Sequence, residues 1–165
     1  MRLRPYTAQD CAEIIRLFQN TVHTVNRADY NEEQLNAWAD GKADQEIWNR
    51  SFLEHYTLVA VEQAEPVDGG GPKEIIVGFG DIVPETGYMD RLYVHHAYQR
   101  RGIASVLCDA LEAAASGQNI TVHASITAKP FFLARGYEVV RQQKVKRKDV
   151  ELTNFVMKKW LVRNV

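Results

Sequence analysis

The chain has 165 residues, 45% hydrophobic and 25% charged, with a net charge of −1. That length supports one sizeable core and is short for two, so residues 1–165 are expected to form a single domain. The charge balance argues against nucleic acid or an anionic membrane as main partner, and no apolar run approaches membrane-spanning length. Met1 to Pro5 lacks a signal peptide's apolar stretch, and Cys11 and Cys108 lack metal-ligand spacing. Both cysteines read as free thiols in a reducing cytoplasm.

Arg2 to Tyr6 alternates and reads as an edge strand. Thr7, three before Asp10, makes a capping-box start. Ile14, Ile15, Phe18, Val22 and Val25 then recur at helical spacing and predict a helix over 8–25. Asn31 can cap a second helix containing Leu35 and Trp38, and Asp44 a third with Ile47, Trp48 and Phe52 on its apolar side. The period then changes. Thr57 to Val61, Ile75 to Phe79 and Tyr88 to His95 read as strands of an antiparallel meander, with Pro66 to Pro72 as a long hairpin loop.

A helix follows from Ile103 to Ala115, ended by Gly117, and then a short strand from Ile120 to Ala124. Ala128 to Arg135 reads as a short helix that Gly136 ends. Tyr137 to Gln142 and Val150 to Met157 close the chain as a strand pair around the basic turn Lys144 to Lys148. This order predicts an α+β, three-layer architecture: a mixed, mostly antiparallel central sheet with helices on both faces.

The most informative residues are Gln99-Arg100-Arg101-Gly102-Ile103-Ala104, where strand gives way to helix. Gly102 lets the backbone turn closely around a ligand, the following amides are the unpaired donors of a helix start, and the two arginines add charge. Together they suit an oxyanion or pyrophosphate. No Gly-Lys-Ser/Thr sequence or Rossmann glycine spacing is present to favour a nucleotide instead.

With the preceding Asp90-Arg91-Leu92-Tyr93-Val94 and the downstream block from Val122 to Tyr137, the run resembles the GNAT superfamily of acyl-CoA-dependent N-acetyltransferases. The resemblance spans nearly the whole chain and implies acetyl-CoA as co-substrate. It implies that the pantetheine arm pairs with the backbone of Leu92, Tyr93 and Val94 in a gap of the sheet. The pyrophosphate would rest on the segment Gln99, Arg100, Arg101, Gly102, Ile103, Ala104 and Ser105, with Ser125, Ala128, Phe131 and Phe132 completing the groove.

Two residues depart from the family pattern. Ser125 replaces the usual Asn, keeping a hydroxyl but with shorter reach. Phe132 stands where the family has the Tyr that protonates the leaving thiolate. Water, Ser125 or no general acid then serves, and loss of the acid slows transfer rather than forbidding it. Asp90 is the candidate base or water-orienting group; the competing reading is a surface carboxylate paired with Arg91.

His95 and His96 are adjacent and point apart if both lie in a strand, and His55 and His123 add no ligand pattern, so no metal is expected. The acceptor site is expected between the first strand and the meander, in a stretch similar to one in little-characterised bacterial members of the superfamily. Tyr30 and Trp38 would wall it, with His23 and Asp29 as polar handles.

The resemblance implies acetyl transfer to a primary amine, of a small molecule or alternatively of a protein N-terminus or lysine. A non-catalytic acyl-CoA-binding module is the rival. Partners are limited to that amine, with the chain a monomer or a homodimer paired through its last strands by Phe155, Met157 and Trp160.

Overall fold

The computed structural model describes residues 1–66 and 68–161. Its sheet has seven strands: β1 (Arg2–Pro5), β2 (Tyr56–Ala64), β3 (Lys73–Val83), β4 (Tyr88–Val94), β5 (Ile120–Ser125), β6 (Glu138–Arg147) and β7 (Val150–Lys159). Their order is β1-β2-β3-β4-β5-β7-β6. Every pairing is antiparallel except β4 with β5. The helices are α1 (Cys11–Thr24), α2 (Glu32–Trp38), α3 (Gln45–Glu54), α4 (Ile103–Ala114) and α5 (Lys129–Ala134).

Strand alternation sends successive side chains into two cores, one on each face. Val59, Val61 and Phe79 pack with Ile14, Phe18, Leu35 and Phe52 of α1 to α3. Leu58, Ala60 and Val77 pack with Ile103, Leu107 and Leu111 of α4 and with Phe132 of α5. On β3 the residues beside Phe79 are Gly78 and Gly80. A Cβ on Gly80 would sit 2.8 Å from Leu111 Cδ1 and 3.0 Å from the Arg91 carbonyl, and one on Gly78 would sit 3.0 Å from Ile103 Cγ2. These glycines let α4 lie directly on the sheet.

The caps expected at Asn31 and Asp44 form. Asn31 Oδ1 accepts from the Gln34 amide at 2.8 Å, and Asp44 Oδ1 accepts from the Glu46 amide at 3.0 Å. Asp10 Oδ2 likewise accepts from the Thr7 amide at 2.9 Å, but residues 8–10 form a 3-10 turn before the α-helix begins.

Four expectations need correction. The strand pair β6–β7 runs on to Arg147, so the tight turn is Lys148-Asp149, both with positive φ as a type I′ hairpin requires. The basic run Lys144 to Arg147 is therefore strand. Ile47 is 59% exposed, since its position on α3 turns away from the sheet that buries Phe52. His95 and His96 do not point apart: the strand has ended, a 3-10 turn follows, and the rings stack at 4.5 Å. Phe155 and Met157 are buried, because β7 lies inside the sheet between β5 and β6; of the three residues expected at a dimer contact, only Trp160 is exposed.

Gly80→Ala is expected to lower stability by about 1–3 kcal/mol, as overpacking does in a filled interface. Urea denaturation checks this, and an unchanged midpoint would mean that α4 can lift from the sheet.

Candidate active site

The parallel contact between β4 and β5 consists of two residue pairs, Tyr88↔Thr121 and Met89↔Val122. Beyond them the strands part. β4 also carries a bulge at Asp90, because Ile82 faces Met89 while Asp81 faces Arg91. The edge of β4 from Leu92 onward thus meets a gap. His95 N donates to Val77 O at 2.8 Å, so by the period of two Tyr93 is paired toward β3, and the amides and carbonyls of Leu92 and Val94 point into the gap. The Val94 carbonyl already accepts from Thr21 Oγ1 at 3.0 Å and Gln99 Nε2 at 2.8 Å.

A cavity of about 380 Å³ fills this gap. It is lined by Leu92, Tyr93, Val94, Gln99, Arg100, Gly102, Ile103, Ala104, Ser105, Ser125, Ala128, Phe131 and Phe132, every expected cofactor contact except Arg101. The Arg101 guanidinium lies over the Tyr98 ring at 4.8 Å instead. Thr21, Val25, Asn26, Tyr98 and Thr127 also line the cavity. α1 and its following turn bring three of these, and nothing local in sequence marks them.

The helix start beside the cavity is built from two left-handed residues, Arg100 (φ 61°) and Gly102 (φ 78°). A Cβ on Gly102 would meet no protein atom within 4 Å, so glycine is required there by conformation and not by crowding from the chain. The helical ladder opens with Val106 N to Gly102 O at 3.1 Å, which leaves the amides of Ile103 to Ser105 ahead of it.

Ser125 Oγ accepts from the Ala128 amide at 3.0 Å, which caps the turn into α5 and leaves its hydroxyl proton for another partner. Phe132 is 4% exposed and packs edge-on to Phe131 and Tyr137.

Two outer cavities, of about 460 Å³ and 150 Å³, share Trp38, Asp90, Tyr93 and Arg147 as wall residues. Tyr93 lines these and the gap cavity alike. Burial pushes its phenol up, so it keeps its proton at neutral pH. His123 lines the smaller cavity, and burial pushes its imidazole down, toward the neutral form.

Asp90 belongs to a charged cluster. Arg91 Nη2 lies 3.1 Å from Asp90 Oδ2 and 3.2 Å from Asp81 Oδ2, and it also donates to Ser51 Oγ. His55 Nδ1 donates to Asp81 Oδ2 at 2.8 Å. The Arg91 guanidinium rests 4.4 Å above the Phe52 ring. Ligand atoms of His55, Asp81 and Asp90 lie within 4.8 Å of one another, but the cation between the two carboxylates is Arg91. Burial pushes the Asp81 carboxyl up, opposed by its bond to His55. That same bond pushes the His55 imidazole up. The pairing with Arg91 weighed for Asp90 is thus present, on a side chain that also faces the cavities.

The expected acceptor residues divide. Trp38 lines both outer cavities and Tyr30 the smaller one. Tyr30 is also a pin: its hydroxyl donates to Thr153 O at 2.6 Å and accepts from the Ile126 amide at 2.9 Å. Asp29 Oδ2 accepts from Thr127 Oγ1 at 2.8 Å, and His23 Nε2 lies 2.7 Å from Ala39 O. Neither lines an outer cavity. Arg147, Asn154 and His123, which do, come from β6, β7 and β5, which pair with one another on the far side of the gap from β4, and carry no motif.

Known proteins share this fold. Residues 26–159 match the family model for the acetyltransferase (GNAT) domain. The uncharacterized N-acetyltransferase YafP of Escherichia coli (strain K12) is 33% identical over 158 residues, 96% of this chain and 95% of that protein. The chain belongs to the GNAT acetyltransferase family. A GCN5-related N-acetyltransferase from Rhodopseudomonas palustris superposes with a TM-score of 0.82 at 32% identity, covering 96% of this chain and 94% of that one. PaiA N-acetyltransferase from Thermoplasma acidophilum, solved in complex with coenzyme A, shares the fold at 17% identity, with a TM-score of 0.70 over 96% and 97% of the two chains. The protein is accordingly an acetyl-CoA-dependent acyltransferase.

Because the folded chain raises His55, its contribution to stability is complete below the ordinary histidine value of about 6.5 and is lost as pH rises through the raised value. The stability difference between wild type and His55→Ala is expected to be larger near about pH 6 than near about pH 9. A difference independent of pH in urea titrations would contradict a charged His55–Asp81 pair.

Proposed function

We propose that residues 1–165 act as one unit that transfers acetyl from acetyl-CoA to a primary amine of a small molecule, by direct attack within a ternary complex. The observation carrying this reading is the gap between β4 and β5, whose cavity ends at the left-handed turn and free amides that open α4. Its residues fit the co-substrate. Leu92, Ile103, Phe131 and Phe132 provide an apolar trough, the amides of Leu92 and Val94 an edge for an amide-containing arm, and Gly102 to Ser105 with Arg100 an anion site. Acetyl-CoA supplies the acyl group as a thioester.

The chain's part is to hold that acyl group still, polarise its oxygen with a β4 amide, receive a neutral amine and steady the departing thiolate. Asp90 and His123 face the side from which the amine arrives; either can take or relay its proton, and neutral His123 needs no prior deprotonation. With Phe132 lacking a proton, Ser125 and Tyr93 offer hydroxyls that border both the gap cavity and the smaller outer cavity. The outer cavities, at about 460 Å³ and 150 Å³, suit a small acceptor better than a folded protein surface.

Three variants test the reading. Gly102→Val forces a β-branched residue into a left-handed conformation and puts a side chain at the anion site. It is expected to abolish acetyl-CoA binding in calorimetry while the circular dichroism is kept, and unchanged affinity in a folded variant would remove the proposed anion site. Phe132→Tyr is expected to retain binding and to raise turnover by up to about a hundredfold, the scale of one general acid, or less if a hydroxyl already serves. Tyr30→Ala removes a pin as well as a wall. It is expected to lower stability by about 1–3 kcal/mol, the cost of leaving buried partners unmet, and to raise the Michaelis constant for the amine more than that for acetyl-CoA. Release of free coenzyme A across an amine panel separates this enzyme from a module that binds acetyl-CoA without turnover.

A further inference from the structure

We propose that the acceptor amine also carries a carboxylate, as an amino acid does, and that Arg147 binds it. This rests on the acetyl-transfer reading above and adds the class of acceptor. Arg147 and Val145 lie two apart on β6 and both line the smaller outer cavity, so the alternation of the strand turns them toward it and Lys146 away, with Arg147 still exposed to solvent. Arg147 also lines the larger cavity.

The charges around these cavities are unevenly matched. Arg91 is taken up by Asp81, Asp90 and Ser51. Asp40 is paired with Lys148. Arg147 makes no ion pair among the described residues, and Lys42 on the wall of the larger cavity makes none either. An oxyanion would meet an uncompensated guanidinium there, able to offer two parallel donors to a carboxylate. A second ammonium, as on a diamine, would meet repulsion.

The hairpin bearing Arg147 is held in place. Lys148 pairs with Asp40, Gln34 Nε2 donates to Glu151 O at 3.0 Å, and the Tyr30 hydroxyl donates to Thr153 O. Preorganisation of this kind reduces the cost of ordering a ligand contact.

The smaller cavity also offers groups that suit the amine. Asp90, although paired with Arg91, lines it, and so does Asn154, which faces Ser125 across β5 and β7 and whose buried Oδ1 accepts no hydrogen bond among the described residues. An acceptor whose nitrogen is held by Asn154 and Asp90, and whose carboxylate reaches Arg147, meets both the unpartnered acceptor and the unpaired cation of this cavity.

The test follows coenzyme A release at saturating acetyl-CoA with matched acceptors. These are L-amino acids beside their primary carboxamides, and ω-amino acids from glycine to aminohexanoate beside the corresponding alkylamines. The acids are expected to exceed their partners in kcat/KM by roughly tenfold to a hundredfold, the scale of a charge-assisted bond. Arg147→Ala should erase that preference by raising the acid's KM while leaving the KM for acetyl-CoA unchanged, which also reports that the variant is folded. Arg147→Lys should keep part of the preference and Lys146→Ala all of it. Equal use of acids and partners, or an equal loss for both in Arg147→Ala, overturns the assignment. So does failure of every acid to react in protein that calorimetry shows to bind acetyl-CoA, which leaves acetyl transfer standing. Absence of acetyl-CoA binding overturns the underlying reading instead.

Discussion

Two residue pairs join β4 to β5, and everything at the site depends on there being no more. A sheet that stayed closed past Met89 and Val122 would satisfy the amides and carbonyls of Leu92 and Val94 internally and leave no edge for a ligand. The bulge at Asp90 lies where the strands part, and the Ser125 cap turns β5 away into α5 soon after. The unpaired edge is shielded rather than left to aggregate. Thr21 and Gln99 occupy the Val94 carbonyl, and α4 and α5 stand on one side of the opening.

The position of α4 follows from β3. Gly78 and Gly80 remove the side chains that would hold the helix off the sheet, and Leu107 and Leu111 settle onto the bare backbone. That close contact fixes the axis of α4 and therefore the place of its first turn, next to the gap. The left-handed pair Arg100 and Gly102 then swings the chain from β4 into the helix. A packing decision in the middle of the sheet thus sets the geometry of an anion site at its edge.

The family was legible because its chemistry is local. Gln99 to Ala104 needs only six consecutive residues to declare a turn and a helix start, and nearly all the expected groove residues do line one cavity. The acceptor side was not legible in this way. Arg147 is exposed, as a basic turn would be, but it belongs to a strand and lines both outer cavities; its strand partner Val150 lies just across a two-residue hairpin whose left-handed residues are Lys and Asp rather than Asn and Gly. Tyr30 looked like a pocket wall, although its hydroxyl ties β7 to the end of β5. The cluster of His55, Asp81 and Arg91 around Asp90 joins three elements, and no spacing along the chain reports it. Phe155 and Met157 lie on the last strand of the chain but not at an edge of the sheet, because the chain order of strands differs from their order in space.

The central claim is that a ligand completes the sheet at the open edge of β4 and rests its charge on the start of α4. Amide hydrogen exchange, resolved by residue and followed with and without acetyl-CoA, reads this directly. The account predicts new protection at Leu92, Val94 and Ile103 to Ser105 on adding acetyl-CoA, with little change at Tyr93, whose backbone already faces β3. Protection confined to other parts of the chain, with these amides exchanging as before, would contradict it.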